Sequence, residues 1–461
     1  MKRRAQKAVY HGESLLSYFS KSSRVASPTD SKQLPEPSSD DLKLISSSNI
    51  SRPLDAQISP APPVAIKISE PGRKCPFYKW IPGTSITVDA FSFGEIKGCD
   101  SYFLTHFHSD HFKGLTSNFK GTIYCSKVTK GFLVKTFGSK IRIIDLDENT
   151  LMTVSNVEVT ALSANHCPGS VMFLFHVLST RRFVLHTGDF RFSADMLIPP
   201  SPLANFVPNP LETEKSQSVL HAIYLDTTYC SPRYSFFTQD EVISSAIQIT
   251  REQLRKDPST LVICGMYTIG KERFVLGLAS ALKLTVWLPT RQRQLVSIAA
   301  THGCTVCGDL LSHTSDNPHK AQLHVVSMRE ISMAHLKQYR VNFSTPGQKN
   351  PFSRPEPTHL RSVLAWRPTG WSYRAPAKHE DMVQSTLDHH KPAKGVYAEY
   401  SNSNIYIYGA AYSEHSSFAE LKEFILQLRP QRVQQTVFGG AAKLARDHIS
   451  EWLQHDPSVR K

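Results

Sequence analysis

The sequence lacks any long hydrophobic run. No stretch of about 18 consecutive apolar residues occurs in its 461 residues, so we expect no membrane-spanning helix. The chain begins with the basic residues Lys2, Arg3 and Arg4, and no apolar segment follows them, so we expect no secretory signal. An intracellular protein is therefore expected, and the basic residues are compatible with a signal for import into the nucleus.

A second CxxC pair is also absent. The eight cysteines are scattered along the chain, and only Cys304 and Cys307 have the CxxC spacing. Scattered cysteines in a long chain favour reduced thiols in the cytosol or nucleus. Without a second pair nearby we expect no zinc knuckle, and we predict a strand or turn with two incidental thiols.

Aromatic residues are scarce between about residues 20 and 72, a segment rich in Ser and Pro. Such a segment cannot bury enough apolar surface to offset the entropy of folding, so we predict a disordered tail at 1–72. Just before the Ser- and Pro-rich segment, Leu15, Tyr18 and Phe19 have the spacing of a short sliding-clamp-binding peptide. Gly12 replaces the glutamine usual at the first position, and a chance amphipathic patch is the alternative reading.

Basic residues outnumber acidic ones. The chain has 53 Lys and Arg against 39 Asp and Glu, which gives a formal net charge of +14. A sequence pI near 9.3 suits a polyanionic partner such as DNA. Many basic proteins bind no nucleic acid, so the charge alone does not assign a function.

The richest chemistry lies in residues 105–111 (THFHSDH), directly after an apolar stretch. A strand carries alternate side chains to the same side, so His106 and His108 can point together. A turn after them can bring Asp110 and His111 to a second position. Imidazole nitrogens and a carboxylate suit Zn²⁺ or a similar divalent ion, so this run can serve two neighbouring metals.

The run alone leaves each metal short of ligands, and three later segments supply candidates. His166 and Asp189 stand in polar turns at the ends of apolar, strand-like runs, and His415 stands in a further polar turn. A lone histidine is often a hydrogen-bonded structural residue, and that alternative remains for His166 and for His415 taken singly.

At these residues the sequence resembles the metallo-β-lactamase superfamily. Its HxHxDH motif is matched at 106–111, and Asp89 resembles the first motif, in which an aspartate orients the ligand loop from behind. The resemblance implies an α/β fold, an αββα sandwich, with a dinuclear site at one edge. One metal would take His106, His108 and His166, the other would take Asp110, His111 and His415, and Asp189 would bridge them.

Later motifs resemble the β-CASP nucleases within that superfamily. Asp226, His415 and Val437 match their acidic residue, their histidine and their final valine, and Asp226 is assigned a supporting role behind the ligands. In that group a final valine goes with enzymes acting on DNA and a histidine with enzymes acting on RNA. Segments such as 75–78 and 367–371 resemble DNA cross-link repair exonucleases of the Snm or Pso type, and the likeness covers about 75–445.

The domains follow from the distance between the ligands along the chain. His415 lies far downstream of Asp189 and must return to the same site, so we predict an interrupted sandwich with an insertion. We place the first part of the metallo-β-lactamase domain at 73–235, the β-CASP insertion at 236–404 and the closing part at 405–461. Within the insertion, 261–264 reads as a buried strand, and Phe274, Leu278 and Leu282 recur at helical spacing.

Five residues are candidates for contact with DNA phosphate. The segment 265–271 imitates a P-loop, but Glu272 stands where Mg²⁺ binding needs Ser or Thr, so ATPase activity is not expected. The resemblance assigns Tyr267 and Lys271 to a phosphate pocket instead. Ser416 and Ser417 precede an apolar helical stripe, and Ser417 and Glu420 have the spacing of a capping box. Helix capping and phosphate binding are both compatible roles for the two serines. Val437 is the fifth candidate.

The function implied is a metal-dependent 5′-to-3′ DNA exonuclease that acts on 5′-phosphorylated ends, single- or double-stranded, in the repair of interstrand cross-links or other DNA damage. Asp110, Asp189 and His415 would be catalytic at one or two divalent ions, with Zn²⁺ favoured and Mg²⁺ or Mn²⁺ able to support activity. The alternatives are a structure-specific DNA endonuclease of the Artemis type and a non-catalytic repair scaffold. An RNA nuclease is disfavoured by Val437, and a small-molecule hydrolase by the insertion and the charge.

Overall fold

The computed structural model describes residues 74–208, 218–343, 361–373, 394–439 and 442–454. The predicted tail at 1–72 and the clamp-like peptide at Leu15, Tyr18 and Phe19 lie outside these ranges. Within them, no helix combines the length and apolar character needed to cross a membrane.

The first layer of the fold is a four-stranded parallel sheet. Its strands in spatial order are β1 (Ile86–Val88), β2 (Ser101–Phe103), β3 (Thr122–Ser126) and β4 (Ile143–Leu146). Helix α1 (Lys127–Phe137) connects β3 to β4, with Ser126 as its N-cap. Its buried side chains Phe132 and Leu133 join Tyr102 of β2 and Ile123 of β3 in one hydrophobic cluster on the outer face of this sheet.

The second layer is a mixed six-stranded sheet. In chain order its strands are β5 (Leu151–Val154), β6 (Val157–Ser163), β7 (Val171–Val177), β8 (Arg182–His186), β9 (Leu220–Leu225) and β16 (Val433–Gln435). Two helices cover its outer face, α7 (Phe418–Leu428) and α8 (Ala442–Gln454). The predicted capping box is confirmed, because Ser417 caps α7 and Glu420 returns the contact.

The two sheets pack face to face because β7 alternates. Phe173 and Phe175 point inward and contact Phe103 of β2, at ring-centroid distances of 5.1 and 5.2 Å. Met172 and Leu174 point to the opposite face and join the cluster under α7 and α8. This arrangement of helix, sheet, sheet and helix confirms the predicted αββα sandwich.

The insertion is a separate α/β layer around its own six-stranded sheet. In chain order its elements are α2 (Gln239–Lys256), β10 (Leu261–Met266), α3 (Glu272–Leu282), β11 (Val286–Trp287), α4 (Thr290–Thr301), α5 (Thr305–Ser312), β12 (Leu323–Ser327), α6 (Met333–Asn342), β13 (Val363–Pro368), β14 (Val396–Ser401) and β15 (Ile405–Ala410). The spatial order of the strands is β11-β12-β10-β13-β15-β14, and among these described strands only β14 is antiparallel to its neighbour.

The structure confirms the buried strand predicted at 261–264 and the helix carrying Phe274, Leu278 and Leu282, which are β10 and α3. The structure differs from two other predictions. The boundary predicted between 404 and 405 falls between β14 and β15, which pair with each other, so the insertion continues through Ala410. The CxxC pair is neither strand nor turn, because Cys304 caps α5 and Cys307 lies within this helix.

Candidate metal centre

Four candidate site residues lie just after the ends of strands. His106 follows β2, His166 follows β6, Asp189 follows β8 and Asp226 follows β9. Strands β6, β8 and β9 share one direction within the second sheet. The carboxyl ends of parallel strands meet at one edge of a sheet, so the segments with His166, Asp189 and Asp226 meet there.

Three imidazole rings converge at this edge. His108 Nδ1 lies 3.0 Å from His106 Nε2 and 3.1 Å from His166 Nε2. Asp189 Oδ2 lies 3.7 Å from His106 Nε2 and 3.9 Å from His166 Nε2. Three nitrogens bonded to a tetrahedral zinc at about 2.0–2.1 Å lie only about 3.3 Å apart, so this donor set fits such an ion.

The far nitrogen of each of these three rings has its own partner. His108 Nε2 lies 3.2 Å from the carbonyl oxygen of Ile269, and His166 Nδ1 lies 2.8 Å from that of Glu414. A carbonyl oxygen only accepts, so these nitrogens donate, and the nitrogens that face the centre keep their lone pairs. His106 Nδ1 is paired in the same way with Thr105 Oγ1 at 3.0 Å.

Burial keeps these rings neutral. It lowers the pKa of His106 and of His166 well below the ordinary histidine value, and neighbouring histidines act in the same direction. Burial also lowers the pKa of His108. Neutral imidazoles are the form that binds a metal, so the cluster is suited to a cation before any ion arrives.

A second group of ligands shares Asp189 with the first. The donor atoms of Asp189, Asp226 and His415 lie within 4.8 Å of one another. His111 Nε2 lies 3.3 Å from Asp189 Oδ2 and 3.6 Å from Asp110 Oδ2, and the Asp110 side chain is 78% exposed. The structure thus places Asp189 next to His111, which contacts Asp110, and next to His415 with Asp226.

Asp226 was predicted to support the ligands, and the structure places its carboxylate against the ring of His415. His415 Nδ1 lies 2.8 Å from its Oδ2, while Thr228 donates to its Oδ1 through both the backbone N–H and the hydroxyl. Burial opposes protonation of His415, but Asp226 and Asp189 outweigh it and raise the His415 pKa above its ordinary value.

Asp89 holds the loop that carries the histidine run. Its two oxygens accept from the backbone N–H and the hydroxyl of Thr105, at 2.9 and 2.8 Å, and Oδ2 lies 2.8 Å from His111 Nδ1. These contacts match the orienting role predicted for it. Burial opposes protonation of His111, but Asp189 and Asp89 raise its pKa well above the ordinary value.

Glycine is required next to Asp189. Gly188 has a φ of +54°, and a Cβ atom there would lie 2.7 Å from the Cβ of Thr105. The end of β8 can therefore approach the histidine loop only without a side chain at this position. This close approach brings Asp189 to the ligands.

Lys271 lies in an internal ion pair rather than in an open phosphate pocket. Its Nζ is 2.6 Å from Glu414 Oε2 and its backbone N is 2.7 Å from Oε1, and the residue is 4% exposed. The pair ties the start of α3 to the residue before His415. The predicted phosphate contact at Lys271 finds no support in these contacts.

The other predicted phosphate contacts divide into two kinds. Ser416 accepts from Phe192 N and donates to Phe190 O, and Ser417 caps α7, so both hydroxyls have internal partners and both residues are buried. Tyr267 is 42% exposed, and Val437 is partly exposed. The contacts therefore favour a structural role for the two serines and leave Tyr267 and Val437 accessible.

Sequence patterns did not identify three atoms that support the centre. The hydroxyl of Thr105 and the carbonyl oxygens of Ile269 and Glu414 hold the far nitrogens of the ligand rings. A backbone carbonyl carries no residue-type signal, so no motif could reveal the last two. Thr105 directly precedes His106, and this position at the start of the histidine run was the one signal that the sequence offered.

Comparison with known proteins places this geometry in a family. Residues 309–441 match the model of the family described as DNA repair metallo-beta-lactamase. The chain is 37% identical to the DNA cross-link repair protein SNM1 of Arabidopsis thaliana over 83% of its own length and 70% of the relative's.

Two vertebrate relatives are also similar. The chain is 38% identical to the DNA cross-link repair 1A protein of Gallus gallus over 83% of its own length, but it spans only 35% of that relative. It is 29% identical to the 5′ exonuclease Apollo of the same organism over 78% of its own length and 63% of the relative's.

Removing a central ligand should remove the metal. We expect His106→Ala to lower the bound metal per chain strongly, because the substitution deletes one of three converging imidazoles. His176→Ala is the matched control, since this histidine lies on β7 and its Nδ1 pairs with Glu158 of β6 at 2.7 Å. Metal content would be measured by mass spectrometry after dialysis. Wild-type metal content in His106→Ala would contradict this assignment.

The buried acid beside the ion pair should make stability depend on pH. Burial and neighbouring Glu414 raise the pKa of Glu272 from 4.5 to about 8. The folded chain then holds an extra proton between these values, so this group's contribution to stability falls as pH rises through that window. We expect the melting temperature to fall less in Glu272→Gln than in wild type from about pH 5 to about pH 8.5. Glu423→Gln on the surface of α7 is the control, and parallel profiles for Glu272→Gln and wild type would refute the prediction.

Proposed function

The chain belongs to the family of DNA cross-link repair proteins with a DNA-repair metallo-β-lactamase domain, and on this premise we propose that it is a metal-dependent DNA exonuclease. Its proposed substrate is a DNA strand with a 5′-phosphorylated end, shortened in the 5′-to-3′ direction. The observation that carries the proposal is the central carboxylate. Asp189 belongs both to the imidazole group and to the group with Asp226 and His415.

Zinc is the proposed ion of the imidazole group. Three imidazole nitrogens with one carboxylate are typical zinc ligands, whereas Mg²⁺ prefers oxygen ligands. His106, His108, His166 and Asp189 would hold this ion, and Asp110, His111 and His415 with Asp189 would hold a second. A divalent ion in such a site polarises a phosphoryl oxygen and lowers the pKa of water, which gives a nucleophile near neutral pH.

The chain's own residues would align the reaction. Asp110 is exposed beside His111, so its carboxylate is accessible to orient a water molecule and accept its proton. Asp226 fixes the ring of His415 through Nδ1, which leaves Nε2 available at the centre. Through this nitrogen His415 would either hold the second ion or donate a proton to the departing oxygen, but not both at once. Hydrolysis breaks one P–O bond, and the water contributes its oxygen to phosphorus and its protons to these groups and the leaving oxygen.

Several features support DNA as the substrate. The formal charge of +14 favours a polyanion. Val437 takes the position at which DNA-acting relatives carry valine, and Tyr267 is accessible as a phosphate contact. A repair nuclease acts on chromosomal DNA, so we also propose that the protein works in the nucleus.

The cleavage test uses single-stranded DNA labelled at its 3′ end, with either a 5′-phosphate or a 5′-hydroxyl. We expect stepwise shortening of the phosphorylated strand by wild type and a loss of at least about a hundredfold in Asp189→Ala, because removal of the shared carboxylate disrupts both ligand groups. Asp195→Ala, an exposed aspartate six residues on, is the matched control.

Three outcomes would contradict the proposal. Equal shortening of both strands would argue against recognition of the 5′-phosphate. Cuts confined to hairpins or overhang junctions would favour a structure-specific endonuclease. Binding without any cleavage, in protein loaded with zinc, magnesium or manganese, would favour a repair scaffold.

We also propose a sliding clamp as a partner of the N-terminal peptide. Leu15, Tyr18 and Phe19 supply the aliphatic residue and aromatic pair of such a peptide. We expect Tyr18→Ala/Phe19→Ala to lose clamp binding in a pull-down with the full chain, while Tyr10→Ala keeps it. Undiminished binding by the double variant would discard this peptide as the contact.

A further inference from the structure

An exposed tryptophan stands beside the candidate centre. Trp371 is 66% exposed, although it belongs to a cluster of aromatic rings rather than standing alone. Its ring lies 5.1 Å from that of Tyr229 and 6.4 Å from that of Tyr234. A large exposed aromatic ring held within such a cluster is suited to stack against a planar group of a ligand.

The turn that carries the tryptophan is held firmly. Gly370 packs so closely that a Cβ atom there would lie 2.5 Å from the hydroxyl of Tyr229, which is itself buried. Thr369 Oγ1 accepts from Trp371 N at 3.4 Å, and Ser372 N donates to Thr369 O at 3.0 Å. The backbone under the indole is therefore fixed before any ligand binds.

One aromatic ring separates Trp371 from the candidate ligand His415. Tyr229 lies between them, with its ring centroid 5.9 Å from that of His415 and 5.1 Å from that of Trp371. A DNA strand whose phosphodiester sits at the metal centre would thus place a neighbouring nucleotide within reach of the indole. The exposed aromatic face therefore lies one aromatic ring away from a candidate ligand.

One arginine and further aromatic rings lie near the indole. The guanidinium of exposed Arg233 lies 4.6 Å from the ring centroid of Tyr234. The Tyr267 hydroxyl lies 3.4 Å from Thr369 Oγ1, so a second exposed ring flanks the same turn. Aromatic faces combined with arginine are the groups by which proteins hold single-stranded DNA through base stacking and phosphate contact.

We propose that Trp371 stacks on one unpaired nucleobase of the strand being cleaved and so positions that strand at the metal centre. The proposal rests on the nuclease function proposed above and adds a specificity: the nucleotide next to the cleaved bond must be unpaired. Removal of one base–aromatic stacking contact weakens DNA binding by about 1–3 kcal/mol, which corresponds to a roughly 5- to 150-fold loss of affinity.

The test combines protein variants with abasic DNA. A series of 5′-phosphorylated single strands carries one abasic nucleotide at the first, second, third or fourth position from the 5′ end. Wild type should bind one of these strands more weakly than the others, by about fivefold or more. Trp371→Ala should bind all four alike, with a KM about 5- to 150-fold above that of wild type on intact DNA and a kcat changed much less. Trp371→Phe should restore most of the affinity and the position-specific penalty.

Leu151→Ala, which removes a 59% exposed side chain on β5, is the surface control. A position-specific penalty that persists in Trp371→Ala would overturn the proposal, as would an equal loss of affinity for blunt duplex DNA. Affinity is measured by fluorescence anisotropy in the absence of divalent ions, so it does not depend on cleavage. If wild type cleaves DNA but shows no position-specific penalty, the stacking proposal is wrong and the nuclease function stands. If wild type shows the penalty but does not cleave, the nuclease function is wrong and the stacking contact stands.

Discussion

The structure depends on hydrogen bonds that fix three imidazole rings from behind. Each ring would otherwise rotate, and three free imidazoles have no reason to point their lone pairs at one another. The acceptors are Thr105 Oγ1 in the sandwich, the carbonyl of Ile269 in the insertion and the carbonyl of Glu414 in the returning segment. Neither the sandwich nor the insertion can complete the centre alone, because each supplies only part of this support.

The Lys271–Glu414 ion pair joins these parts. Both partners are buried, so loss of either one would leave a charge without compensation in the interior. The pair holds Glu414, whose carbonyl orients His166, and it fixes the start of α3 beside Ile269. The insertion therefore has two roles. It completes the support of the ligands, and it carries the aromatic turn at Trp371, which we propose to hold the DNA strand.

Local patterns predicted the parts of the fold that depend on local sequence. Strand alternation, the helical stripe of α7 and its capping box followed from spacing, and the order of the motifs indicated the sandwich with its insertion. The end of the insertion did not follow, because β15 is a strand in either assignment and only its pairing with β13 and β14 decides its domain. Lys271 was assigned to phosphate for a similar reason, since its partner Glu414 is 143 residues away.

The central claim is that the imidazole group is a metal site built jointly by the sandwich and the insertion. Anomalous diffraction from crystals of the full chain, collected above and below the zinc absorption edge, tests it most directly. We predict a peak bounded by His106, His108, His166 and Asp189 that disappears below the edge, with the Ile269 carbonyl still against His108. A peak elsewhere, or none at these residues in zinc-loaded crystals, would contradict the account.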